Sequence, residues 1–294
     1  MSAAGLLLAA LVQPVAMPSA VPAGLVGRCR FDTVALSFAG SPAEQAQCLM
    51  RPLGKRGVLG KELARLPRGL SVVLKRGTAL PTREVVERVL ASEGVDIGGL
   101  DGPVSRANDG EATAPLARYF VIHDTSTPYY GDEPFPADVD GDARVNDFAP
   151  YFPVGADPEK YPVAHLFLNR QGVVKVGQPL SRPWRATKLE TRVIGLPAKG
   201  LFLHVETVAP RRRDPSIAGW NDAIAPRPGF SQRQYERLAL LYVAASARAG
   251  GWLIPAQHGT MDHGLEQAHD DPQNFELKRF DRALRKLLRR LRER

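Results

Sequence analysis

Three of the chain's six histidines, His258, His263 and His269, fall in the stretch IPAQHGTMDHGLEQAHDDPQNF, which also carries Asp270 and Asp271. Ring nitrogens and carboxylates at this density could hold a divalent cation. Two histidines and one carboxylate would leave a catalytic zinc the open position it keeps for water. A solvated polar loop has the same composition, so the stretch alone decides little. His123 stands apart, at the end of the apolar run RYFVIHDTS, where Asp124 and Thr125 begin a polar segment. By itself it reads as a core histidine, a base or a ligand. Glu206 lies in LFLHVETV, where strand alternation puts Phe202, His204 and Glu206 on one face, an arrangement that suits a cleft better than a core. There is no G-x-S-x-G, no phosphate-binding glycine loop and no paired C-x-x-C, so metal chemistry is what remains.

These residues need elements to position them. ARYFVIH, HLFLNRQGVVKVGQ and GLFLHVETV read as strands, the second as two strands joined at Arg170, Gln171 and Gly172. A helix from Ser231 to Arg248 follows, with Ser231 and Gln234 as a capping box and Leu238, Leu241, Tyr242 and Ala245 as its apolar stripe. Further upstream, SVVLKRG (71–77) reads as a strand, and Thr82 caps a helix whose face is Val85, Val86, Val89 and Leu90, stopped at Gly94. The predicted fold class is α/β, a mixed central sheet flanked by helices, with a small N-terminal region.

The order of motifs from 118 to 280 resembles the zinc-dependent type 2 N-acetylmuramoyl-L-alanine amidases, relatives of the peptidoglycan recognition proteins. VIHDTS is similar to their I-H-x-T step, AHLFLNRQGVVKVGQ to their A-H-x-x-I strand and following turn, and LFLHVETV to their G-I-E strand, with His204-Val205 in place of Gly-Ile. Gln234, Tyr235 and Leu238 match a Q-Y-x-x-L helix. His258 and Asp271-Pro272 match the closing histidine and D-P pair. The resemblance implies a Zn2+ cofactor held by His123, His258 and Asp271, with Glu206 as general base. It also implies hydrolysis of the bond between N-acetylmuramic acid and L-alanine in peptidoglycan or muropeptides. The family's basic residue two positions before the aspartate is His269 here, which could stabilise an oxyanion or protonate the leaving amine. Arg185, in RPWRATKLE, replaces a family histidine, so Trp184 and Arg185 are expected either to line the cleft or to pack. His165 matches a family histidine that is no ligand. Asp270 and His263 stay as neighbours that could assist a metal. The alternative is a non-catalytic peptidoglycan-binding module of the same fold.

Other segments bear on location and partners. Residues 1–23 read as a secretory signal peptide, 24–105 as the small N-terminal region and 106–294 as the catalytic domain. Cys29 and Cys48, the only cysteines, suit a disulfide in an exported, periplasmic chain. DVDGDARVND (138–147) lacks the glycine and the final acid of a calcium loop, with Ala143 and Ala149 at those positions, and reads as an acidic insertion at the cleft rim. Much of the net charge of +8 sits in residues 276–294, with nine Lys and Arg against three acids. That amphipathic helix is expected to dock on the sheet, or to give weak contact with an anionic surface. Nucleic acid is not an expected partner of an exported protein.

Overall fold

The computed structural model describes residues 24–75, 77–100 and 117–293; the expected leader at 1–23 and the expected boundary near 105 lie outside them. Short strands β1 (Leu25–Val26), β2 (Phe31–Asp32) and β3 (Ser37–Phe38) form an antiparallel sheet. Helix α1 (Pro42–Leu49) follows, started by a Ser41–Glu44 capping box. A disulfide joins Cys29, in the turn after β1, to Cys48 in α1, with Cα atoms 5.7 Å apart. It closes a loop that the chain-entropy model values at about 3 kcal/mol. Alkylation of the denatured, unreduced protein should therefore label no thiol. The Cys29→Ala/Cys48→Ala variant should melt roughly 6–12 °C lower, the scale for that loss in a chain of this size.

SVVLKRG does not form a strand. Helix α2 (Arg68–Val73) runs through its first half. The cause is tertiary: the Leu70 N–H donates to Asp281 Oδ1 at 2.9 Å, and a Cβ on Gly69 would meet that oxygen and Arg285 Cγ at 2.7 Å. Packing against a distant helix overrides the β-branched local preference. Helix α3 (Arg83–Ser92) forms where Thr82 caps it, and it buries Val86, Val89 and Leu90.

The main sheet comprises β4 (Tyr119–Asp124), β5 (Leu166–Leu168), β6 (Val174–Val176), β7 (Phe202–Thr207) and β8 (Ile254–Gln257), in the order β6-β5-β7-β4-β8. Only the β5–β6 hairpin is antiparallel, turning through Gly172 at φ 83°; the other neighbours are parallel. Between the strands lie α4 (Ala143–Asn146) and α5 (Gln232–Ala249), the latter with the Ser231–Gln234 capping box; α6 (His258–Asp262) and α7 (Leu277–Arg292) follow β8. The molecule is thus mixed α/β, a five-stranded mixed sheet flanked by helices. Phe280, Leu284, Leu287 and Leu291 of α7 are buried in a core shared with α5, α2 and α3, leaving most of its cations outside. Burial on that scale contributes roughly 1.5–3 kcal/mol per large apolar side chain and accounts for the docking.

The main apolar core extends from Cys29 to Leu291, so the N-terminal elements share it with the central sheet. Tyr119 makes the join: its hydroxyl donates to Gln45 and accepts from the Phe38 N–H, both at 2.9 Å. No helix among the described residues is long and apolar enough to cross a membrane.

Candidate metal centre

Parallel pairing puts His123, at the end of β4, in register with Glu206 near the end of β7. β8 runs parallel to β4 and hands the chain directly to His258, the first residue of α6. Three strands thus deliver their side chains at the carboxyl edge of one sheet, the usual place for a site in a parallel sheet. Asp271 arrives on the following loop, where its carbonyl accepts the Gly259 N–H at 2.7 Å. Any Cβ on Gly259 would press on the carbonyls of His269 and Asp271 at 2.8 and 3.0 Å, so glycine sets how closely the two segments approach.

One ligand atom from each of His123, His258 and Asp271 lies within 4.8 Å of the others, and all three residues are buried. Both carboxylate oxygens of Asp271 lie close to His258 Nδ1, at 3.0 and 3.1 Å. His123 Nδ1 is 3.8 Å from Asp271 and 3.7 Å from Glu206 Oε1. The far nitrogens are occupied elsewhere, His258 Nε2 against Asp262 at 2.9 Å and His123 Nε2 against His204 Nδ1 at 3.0 Å. Two Nδ1 atoms and a carboxylate therefore face one point.

The electrostatics follow from burial and this pairing. Burial opposes charge on His258, but the carboxylates of Asp271 and Asp262 outweigh it and hold the ring well above the ordinary histidine range. Burial would raise Asp271, yet the His258 charge holds it well below the usual carboxylate range. His123 is pushed well below its ordinary value, by burial first and then by His258. Burial and repulsion from Asp271 push Glu206 up to about 8. Its Oε2 is buried with no hydrogen-bond partner.

The cleft above this cluster has a volume of about 1070 Å³ and is lined in part by Trp184, Arg185, Trp220 and His269. His269 is half-exposed at the rim, with Nδ1 3.6 Å from Asp271 Oδ1 and its ring centroid 4.6 Å from that of His258. Trp184 both lines the cleft and packs, its Nε1 donating to the Val163 carbonyl. Asp270 faces Arg211 at 3.4 Å and accepts from Gln273, while His263 closes α6 away from the cleft lining. His165 is buried, its Nδ1 accepting the His204 N–H. Burial first, and then the adjoining His204 ring, push it down to about 3.

Residues 138–147 do not form the rim. Asp138 and Asp142 accept backbone N–H groups within their own turn, and Asp140 pairs with the buried Arg170 at 2.7 Å. Further along the same connection, Tyr151 and the Glu159–Lys160 pair reach the cleft.

Sequence reasoning also missed several supports of the site. Arg211 is buried and grips Asp124 at 2.8 and 3.0 Å; Asp124 in turn accepts the Gln273 N–H and donates its own N–H to Asp271. From the N-terminal region, Arg56 lines the cleft in the left-handed conformation at φ 61°, and its neighbour Lys55 pairs with Asp214. Neither shows a periodic signature; the only local signal is the pair of glycines, Gly54 and Gly57, that brackets Lys55 and Arg56.

Fold and cluster together define a mixed α/β protein with a buried two-histidine, one-carboxylate group at the carboxyl edge of its parallel strands. No protein-family model matches the chain, and no curated protein matches it. A crystal structure of a selenomethionine AmpD derivative is similar over 63% of this chain and 94% of its own, at 15% identity and a TM-score of 0.34. A likeness that loose assigns no role to any residue.

Proposed function

We propose that this protein is an exported zinc amidase that hydrolyses the bond between N-acetylmuramic acid and L-alanine in peptidoglycan or its fragments. The observation that carries the reading is the convergence of His123, His258 and Asp271 in an open cleft, beside a glutamate whose Oε2 is buried without a hydrogen-bond partner. The donor set fits zinc: two neutral-capable imidazoles and one carboxylate, each imidazole having its outer nitrogen engaged. The proton between His258 Nδ1 and Asp271 lies where a cation would take its lone pair, so metal binding should release protons.

When bound, zinc would supply Lewis acidity toward water and the scissile carbonyl. Glu206 takes the proton from the attacking water on its unpartnered oxygen. His269, half-exposed at the rim, donates a hydrogen bond to the developing oxyanion or protonates the leaving amine. Trp184 and Arg185 form the wall against which the muramyl peptide lies.

The test is paired. Gently purified protein should contain close to one zinc per chain by elemental analysis and should release the stem peptide, with a free L-alanine amine, from a muropeptide. Zinc-free protein that still binds peptidoglycan would favour the non-catalytic binding module instead.

A further inference from the structure

We propose that Glu190 and His204 form a buried relay that fixes the tautomer of His123, and that residues 186–190 orient both ligand histidines at once. The inference rests on the metal reading of His123 and His258. His123 Nε2 and His204 Nδ1 lie 3.0 Å apart, so one carries the proton and the other accepts it. On the far side of the ring, His204 Nε2 lies 3.3 Å from Glu190 Oε2, and neither side chain has any solvent exposure. That contact is not an aligned hydrogen bond, and its effect is electrostatic: a bare ring lone pair against a carboxylate oxygen repels, whereas an N–H attracts.

The backbone N–H groups of Ala186 and Thr187 donate to the same oxygen at 3.1 and 3.0 Å, so the atom that faces the His204 ring is an acceptor. The proton of His204 therefore sits on Nε2, leaving Nδ1 as acceptor. His123 must then donate from Nε2 and keep a lone pair on Nδ1, the atom facing Asp271 and Glu206. The opposite tautomer would put a proton in the place of a cation. The His204 ring is steadied by His165, which stacks on it with an interplanar angle of 10°.

The second ligand is oriented from the same turn. His258 Nε2 meets Asp262, whose carboxylate accepts the N–H groups of Lys188 and Leu189 at 3.0 and 2.9 Å. Four consecutive backbone N–H groups, 186–189, thus hold two carboxylates, each behind one ligand histidine. Glu190 and Asp262 are positioning residues that act through the rings they touch. His204, which replaces glycine in the motif noted above, acquires its role in this chain from that arrangement.

The experiment is a long-range 1H–15N spectrum of the histidine rings in metal-free protein at neutral pH, with His123 assigned by its loss in His123→Gln. It is combined with zinc affinity measured by competition with a chromophoric chelator. His123 should appear as the Nε2–H tautomer. His204→Phe should weaken zinc binding by roughly 10–100-fold, the usual scale for an outer-shell partner. His204→Asn, which keeps a short acceptor, should recover most of that loss. Should the Phe variant fail to fold, Glu190→Gln is read in its place, with a mixture of His123 tautomers and an affinity loss of about tenfold expected. An Nδ1–H His123 in the parent protein overturns the proposal, as does parental zinc affinity in a folded His204→Phe or Glu190→Gln variant. A parent that binds no zinc yet shows the Nε2–H tautomer supports the relay and defeats the metal reading alone.

Discussion

Replacing His258 with Ala is expected to remove metal and hydrolysis together, whereas Glu206→Gln should keep the metal and lose only the hydrolysis. The first substitution deletes one of three donors and strips Asp271 of the charge that holds it ionised while buried. Zinc should be absent from the purified variant. An unpaired buried carboxylate should also cost stability on the order of 3–5 kcal/mol, measurable by denaturant titration. Glu206→Gln preserves shape but leaves no carboxylate to take a proton. Muropeptide hydrolysis should fall on the order of a hundredfold or more, the usual scale for a general base. Zinc content and peptidoglycan binding should hold. A Glu206→Gln variant with parental turnover and full zinc would return Glu206 to a structural role, and a His258→Ala variant retaining zinc would break the ligand set.

The second large effect is expected at Arg211. Its side chain is fully buried and spans Asp124, Asp270 and the Asp222 carbonyl. Arg211→Ala leaves Asp124 either ionised against burial or protonated and without the guanidinium it pairs with, at a cost of about 3–5 kcal/mol. Asp124 also touches the metal segment twice, through the Gln273 N–H and Asp271. The same variant should therefore bind zinc more weakly. A joint Arg211→Met/Asp124→Asn exchange should recover much of the stability, because neither buried charge remains to be compensated. A loss below about 1 kcal/mol in Arg211→Ala, within the range of an exposed pair, would show that Asp124 finds another partner.

Local signals carried much of the architecture. The Ser231–Gln234 box, the Gly172 turn and the apolar run ending at His123 each act within a few residues, and each element lies where those signals put it. α2 is different, because its helix depends on Gly69 meeting Asp281 and Arg285 of α7. The gathering of His123, His258 and Asp271 was legible from motif order. The outer supports were not. Glu190 reaches His123 only through a third residue, and Asp262 meets Lys188 across 74 positions, Arg211 meets Asp124 across 87. Pairs of that separation leave no periodic trace, and a buried arginine reads in sequence like an exposed one.

The topology also imposes an order of assembly. α1 rests on β8, α3 on α5, and the α2 backbone bonds Asp281 across 211 positions. During vectorial synthesis the early apolar faces of residues 29–100 therefore wait for partners that are made last, a regime in which exposed surface invites aggregation. The Cys29–Cys48 bond is a constraint in that segment that can close without them. A nascent chain halted before Ile254 would lack β8, His258 and Asp271, so the sheet edge that carries the candidate metal centre is among the last parts of the molecule to come into being.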